Sequence, residues 1–156
     1  MIHFVTGKIN SGKTTRLVEL YERDQLGDGF IAFKVMKGHL VERYDARQLS
    51  SHETFPYVIR DQFDTGTKPI LCQIGPYRFY EEAIRRIERE VRRMIEYSIE
   101  PIYLDEIGML EIQKQGFYSI FQEMVDSHLD CVVSARHDLI PQIVETFHIK
   151  QYKILS

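Results

Sequence analysis

The run Gly7-Lys8-Ile9-Asn10-Ser11-Gly12-Lys13-Thr14 satisfies every fixed position of G-x-x-x-x-G-K-[ST]. Its spacing has a mechanical reason. Gly7 and Gly12 let the backbone curl until successive N–H groups face inward, an anion nest at the start of a helix whose dipole also favours phosphate. On this reading Gly7, Lys8, Ile9, Asn10, Ser11, Gly12 and Thr15 surround bound phosphates. Lys13 reaches the β and γ phosphates from the first helical turn, and the Thr14 hydroxyl is offered to Mg²⁺.

A second constellation lies in "IYLDEIGMLEI", residues 102 to 112, where Asp105 and Glu106 stand side by side after an apolar run. Two adjacent carboxylates raise the cost of ionising each other unless cations are near. A phosphate loop supplies such cations in Mg²⁺ and Lys13, and it needs a further metal contact, usually an Asp at the carboxyl end of a neighbouring strand. Asp105 has that placement, so Thr14 and Asp105 are the expected metal ligands. Glu106 decides the reaction class. A kinase shields the γ phosphate from water, whereas a hydrolase gains from a carboxylate that orients the attacking water. The expectation is therefore Mg²⁺-dependent hydrolysis of ATP, GTP or another nucleoside triphosphate, with Glu106 and Lys13 as the catalytic groups.

These residues need a scaffold that brings loop and carboxylates to one edge. "IHFV" (2 to 5) reads as a buried strand, and "TTRLVELYERD" carries Leu17, Leu20 and Tyr21 at helical spacing. From about residue 30 to 75 the texture changes to short β-rich pieces, "FIAFKVM", "FPYVI" and "PILCQI", which predict a small antiparallel excursion. "YEEAIRRIEREVRRMIEYSI" (80 to 99) predicts a long amphipathic helix, with Ile84, Ile87, Val91, Met94 and Ile95 as its stripe. Glu81–Arg85, Glu82–Arg86 and Glu88–Arg92 are i,i+4 pairs that give its arginines a structural explanation. Pro101 ends that helix before the strand "IYLD". Helices over about 117–128 and 139–147 each lead into a strand, "CVVSA" (131 to 135) and "YKIL" (152 to 155). Strands alternating with amphipathic helices predict an α/β fold with a mainly parallel sheet and helices on both faces. The 156 residues are expected to form one domain.

The net charge of −3 carries no basic excess, so nucleic acid and anionic membranes are not expected partners. Cys72 and Cys131 are the two cysteines and are not closely spaced, which argues against a disulfide framework or a zinc site. No apolar stretch is long enough to span a bilayer, and "MIHFVTG" runs straight into a strand without a leader, so the cytoplasm is the expected compartment. His39, His52, His137 and His148 show no metal spacing.

"CVVSARHD" resembles the strand that lies between loop strand and Asp strand in the RecA/ASCE-like class of phosphate-loop proteins, where a polar residue at the tip senses the γ phosphate. That resemblance makes Ser134 the sensor candidate. Arg136 just beyond it is a candidate for stabilising transition-state charge, and Arg78 in "GPYRFY" competes for that role. More closely, "GKINSGKTT" together with "YLDEIGMLEI" resembles the nucleoside-triphosphatase family known from thermophiles and animals, whose members carry a loop ending GKTT and a DEIG-x-ME signature. The order of elements agrees over most of the chain. The resemblance implies a compact α/β fold hydrolysing ATP, GTP and other nucleoside triphosphates with Mg²⁺. It carries over Gly7, Gly12, Lys13, Thr14 and Thr15 as phosphate and metal binders, and Asp105 and Glu106 as the metal and water carboxylates.

Two alternatives stay open. One is a small-molecule or nucleotide kinase of the same fold, with the β-rich excursion and the Arg-containing helix as a lid over an acceptor. The other is a nucleotide-controlled interaction module acting on a protein partner or as an oligomer. A regulatory GTPase is set aside, because the N-K-x-D guanine motif needs an Asn after the central strands and the chain's only Asn is Asn10.

Overall fold

In the computed structural model, which describes residues 1–7 and 12–155, alternation of side chains along short apolar strands builds a sheet buried on both faces. The chain runs β1 (Ile2–Gly7), α1 (Lys13–Asp24), β2 (Asp28–Lys37), β3 (Leu40–Gln48), β4 (Thr54–Arg60), β5 (Ile70–Ile74) and β6 (Tyr77–Tyr80). It continues through α2 (Glu81–Glu96), β7 (Ile102–Leu104), α3 (Met109–Ile112), α4 (Tyr118–Asp126), β8 (Cys131–Arg136), α5 (Ile140–Thr146) and β9 (Tyr152–Leu155). All nine strands join one sheet in the order β5-β6-β4-β3-β2-β7-β8-β1-β9.

The pairing changes character at β2. On one side β2, β7, β8, β1 and β9 are parallel neighbours; on the other β2, β3, β4, β6 and β5 are antiparallel. The β-rich stretch predicted as an excursion thus continues the parallel sheet sideways. β2 is long enough to do both. Its first residues, Asp28 to Phe30, pair with Ile102 to Leu104, while Phe30 to Lys37 pair with β3. Its start is pinned by the buried Asp28, which accepts hydrogen bonds from the Gly29 N–H (2.8 Å), Gln48 Nε2 (2.8 Å), the Ser50 N–H (3.0 Å) and the Ser50 hydroxyl (2.7 Å).

Period-two alternation divides the core. Phe4, Ile102, Leu104, Cys131, Val133 and Ala135 face the side covered by α2, α4 and α5, whereas Val5, Tyr103 and Val132 face the side where α1 packs Leu17 and Leu20. Helices therefore cover both faces, as the sequence predicts. In α2, Ala83, Ile84, Ile87, Val91 and Met94 are buried, and Ile95 is only half-buried. Two of its expected ion pairs form, Glu81–Arg85 (3.9 Å) and Glu88–Arg92 (3.4 Å), but Glu82 pairs with Lys68 (2.9 Å) and Arg86 with Glu53 (2.8 Å). The difference is tertiary. Docking on the antiparallel strands brings Lys68 and Glu53 within reach, and Arg86 lies over the Phe55 ring at 4.1 Å.

Close approach of β2 to β7 depends on Gly29, where an added Cβ would fall 2.0 Å from the Tyr103 carbonyl oxygen. The obstacle is backbone in the middle of the sheet, which has no room to give. We expect Gly29→Ala to lower stability by about 2 kcal/mol or more, read as a fall in the midpoint of chemical denaturation; a wild-type midpoint would show that the two strands can part there.

Candidate active site

The carboxyl ends of β1, β8 and β7 meet at one edge of the sheet. β8 separates the other two, so the loop strand and the Asp strand stand one strand apart. Gly12 precedes α1 with φ 85°, a left-handed backbone that favours glycine, and no described residue lies within 4 Å of where its Cβ would be. Among the described residues α1 has neither a side-chain N-cap nor an acidic residue in its first turn, so no negative side chain there opposes an anion. Lys13 is buried in that turn, Thr14 is half-buried behind it and Thr15 is exposed. Gly7 closes β1 opposite Arg136 of β8. Lys8, Ile9, Asn10 and Ser11 lie outside the described residues.

Asp105 follows β7 and is buried. Its Oδ2 accepts from the Thr14 hydroxyl (2.7 Å) and the Ala32 N–H (3.0 Å), and its Oδ1 from the Ser134 hydroxyl. Burial raises its carboxyl above the ordinary range, opposed by those three hydrogen bonds and by the Lys13 charge. The Thr14 hydroxyl and the Asp105 carboxylate are hard oxygen donors already in mutual contact. No group of three or more His, Cys, Asp or Glu side chains suited to a metal occurs among the described residues. That sparse oxygen set fits Mg²⁺, which keeps several waters and takes phosphate oxygens, and does not fit a metal needing an all-protein cage.

Glu106 has φ 60°, a left-handed conformation that costs an L-residue roughly 1–2 kcal/mol. Its N–H donates to the Ser134 hydroxyl (2.7 Å), and the next N–H, of Ile107, donates to the Ser134 carbonyl (2.9 Å). The turn carries the Glu106 carboxylate into a cleft where it is open to solvent yet hemmed in by the walls. That confinement, then the Asp105 charge, raises its carboxyl above the usual range, while Lys13 and Lys34 pull it down.

The expectation for Ser134 needs correction. Ser134 is fully buried, its hydroxyl bonded to both Asp105 and the Glu106 N–H, so it does not face the cleft as a phosphate sensor. It holds the Asp105 carboxylate and the Glu106 backbone from behind. Arg136 does reach the cleft wall, but its guanidinium is held on Asp138 by Nε–Oδ1 (3.1 Å) and Nη2–Oδ2 (2.7 Å) contacts. Arg78 lies on β6, bonded to Asp64 (3.1 Å), and is not part of that wall.

Glu111, which the motif reading passes over, supports the segment after Glu106. It is buried, its Oε1 accepts from the Gly108 N–H (2.8 Å), and its Oε2 accepts from the Phe117 N–H (2.8 Å). One carboxylate thus fixes both ends of the stretch that holds α3. Burial pushes the Glu111 carboxyl up to about 7 against the pull of those amides, with the charge of Glu106 adding to the rise. The signal was a Glu placed among apolar residues right after "DEIG". The cleft itself encloses about 600 Å³, running from Gly12–Thr15 past Glu106 to Tyr44, Tyr57, Tyr77 and Phe79 of the antiparallel strands.

A family profile described as NTPase matches residues 3–156. Two solved structures resemble this one over its whole length. THEP1 from the hyperthermophile Aquifex aeolicus superposes with a TM-score of 0.72 at 19% identity, covering 100% of this chain and 89% of that one. A human cancer-related nucleoside triphosphatase superposes with a TM-score of 0.65 at 15% identity, covering 100% and 87%. At such identities the likeness shows the fold. Comparison with curated protein sequences finds no match.

Because the Glu111 carboxyl is raised from 4.5 in the unfolded chain to about 7 in the folded one, the unfolded state ionises first as pH rises. Stability is therefore expected to fall across that window, by on the order of 3 kcal/mol, as the proton is lost. Denaturant titrations at a series of pH values check this. Glu111→Gln should make the falling limb shallower, leaving the part that the raised Asp105 and Glu106 carboxyls contribute, and parallel curves for the two proteins would refute the assignment.

Proposed function

The chain belongs to the NTPase family and is a nucleoside triphosphatase, and from that premise we propose that Glu106 orients the water that attacks the γ phosphate in an Mg²⁺-dependent hydrolysis. The observation that carries this reading is the backbone of Glu106. An L-residue is held at positive φ by two N–H bonds to Ser134, and the result is a carboxylate standing in the cleft beside Lys13. Strain of that kind persists where the surroundings over-determine it, and at a cleft it serves pre-organisation.

Thr14 and Asp105 would hold the Mg²⁺, which when bound neutralises charge on the phosphate oxygens. The uncapped start of α1 binds the phosphate chain through backbone N–H groups, and Lys13 places its charge where the β and γ phosphates lie. Glu106 accepts a hydrogen bond from the water and receives its proton as the oxygen closes on phosphorus. The bond from phosphorus to the β,γ-bridging oxygen breaks and the diphosphate leaves. Asp105, held by Thr14, Ala32 and Ser134, stays fixed throughout. Arg136 would contribute to transition-state charge only by leaving Asp138. The order of strands around the site gives this geometry to one chain, and we treat residues 1–156 as one working domain.

Glu106→Gln should keep nucleotide affinity and lose about 100-fold or more in turnover, the usual contribution of a positioned proton acceptor. Phosphate release and equilibrium nucleotide binding measured on the same preparation test this, and near wild-type turnover would remove Glu106 from the reaction. Ser134→Ala should lower kcat with little change in KM, because it loosens both carboxylates without touching the phosphate loop; a rise in KM alone would give Ser134 a binding role instead.

A further inference from the structure

The cleft continues well past the phosphate end. It encloses about 600 Å³ in all, within the range of small-molecule sites, and only part of its wall belongs to Gly12–Thr15 and the carboxylate segment. Its far end is built from the antiparallel half of the sheet: Tyr44 on β3, Tyr57 and Val58 on β4, Ile74 on β5, Tyr77 and Phe79 on β6. None of these belongs to the phosphate loop or to the carboxylate strand.

The position of this end follows from the sheet order. The phosphate loop ends β1, the carboxylates follow β7 two strands along, and β2, β3, β4 and β6 lie further in the same direction. Lys13, Thr14 and Asp105 mark the β and γ phosphates, so the aromatic end lies beyond the γ phosphate, on the side from which a nucleophile approaches. Glu106 stands at the junction.

The walls describe what would fit. Tyr57 is buried and stacks on Phe117 (5.8 Å between centroids, 18° between planes), and it meets Phe79 edge-on at 5.5 Å. Tyr44 meets Tyr77 edge-on at 5.6 Å, and the Tyr77 hydroxyl accepts a hydrogen bond from Arg60 (3.1 Å). These rings brace one another edge to face, so the end of the cavity is largely apolar and lined by ring edges and faces. It suits a planar ring with polar atoms on its rim. Lys34 on β2, the register partner of Tyr44, lines the cavity where the aromatic end meets the carboxylates.

We propose that the aromatic end of the cavity is a second substrate site, for a planar heteroaromatic alcohol that receives the γ-phosphoryl group. This rests on the hydrolytic reading of Glu106 and replaces water by the alcohol. The hydroxyl oxygen bonds to the γ phosphorus, and its proton passes to Glu106. The bond to the β,γ-bridging oxygen breaks with its electrons on the leaving diphosphate, giving a phosphate monoester and a nucleoside diphosphate. Hydrolysis is then what the same site does when the second substrate is absent.

The test incubates the protein with γ-labelled ATP and Mg²⁺, with and without nucleosides and hydroxymethyl-substituted pyridines and pyrimidines. It separates labelled monoester from free phosphate. The expected result is a monoester that forms faster than phosphate is released without acceptor. Phe79→Ala, and Ile74→Asp at the half-open rim where folding is not at risk, should cut transfer by about tenfold while acceptor-free release stays within about twofold. Label found only in free phosphate for every alcohol would overturn the proposal and leave the hydrolase standing. Loss of nucleotide affinity in both variants would overturn it too, by assigning the aromatic end to the nucleotide base. Transfer in the absence of any acceptor-free release would instead sink the hydrolytic reading and support this one.

Discussion

Burying one carboxylate, Asp105, governs how the working edge of the sheet is assembled. A lone ionised carboxylate taken out of water costs several kcal/mol unless its lone pairs are met. Here they are met from three directions: the Thr14 hydroxyl from α1, the Ala32 N–H from β2 and the Ser134 hydroxyl from β8. Each partner belongs to a different element, so satisfying the charge sets where α1, the seam strand and the intervening strand lie relative to β7. The order of the strands is fixed by alternating hydrophobicity, but their alignment at this edge is held by polar contacts to a single side chain.

Much of this was legible in the residues. The loop, the Asp–Glu pair and the alternation of apolar strands with amphipathic helices suffice to predict the parallel half of the sheet, and β1, β7, β8 and β9 fall where their apolar runs stand. What stayed hidden depended on tertiary partners. β3, "LVERYDARQ", is full of charged residues because it is half-buried between two strands, so no apolar run marks it. β6 is four residues long and reads as loop. Ser134 resembled a tip residue, yet only the fold shows its hydroxyl turned inward to Asp105. Glu111 has no motif of its own, and its function as a brace becomes visible once Gly108 and Phe117 converge on it.

The two halves of the sheet divide the labour. The parallel half carries α1 and both carboxylates, while the antiparallel half supplies an aromatic wall and contributes one backbone N–H, that of Ala32, to the carboxylate network. β2 joins them, with its first three residues committed to β7 and the rest to β3. A shift of β2 would be felt at Asp105 directly. Changes at β6 or β5, three and four strands further out, would reshape the cavity wall without reaching that hydrogen bond.

The backbone at Glu106 sets two demands against each other at a single position. The turn would be most relaxed with glycine, since a side chain there costs roughly 1–2 kcal/mol in a left-handed conformation. On the proposed mechanism the site requires a carboxylate there. A search for thermal stability by sequence alone would then find one of its easiest gains at the residue that the proposed reaction could least spare.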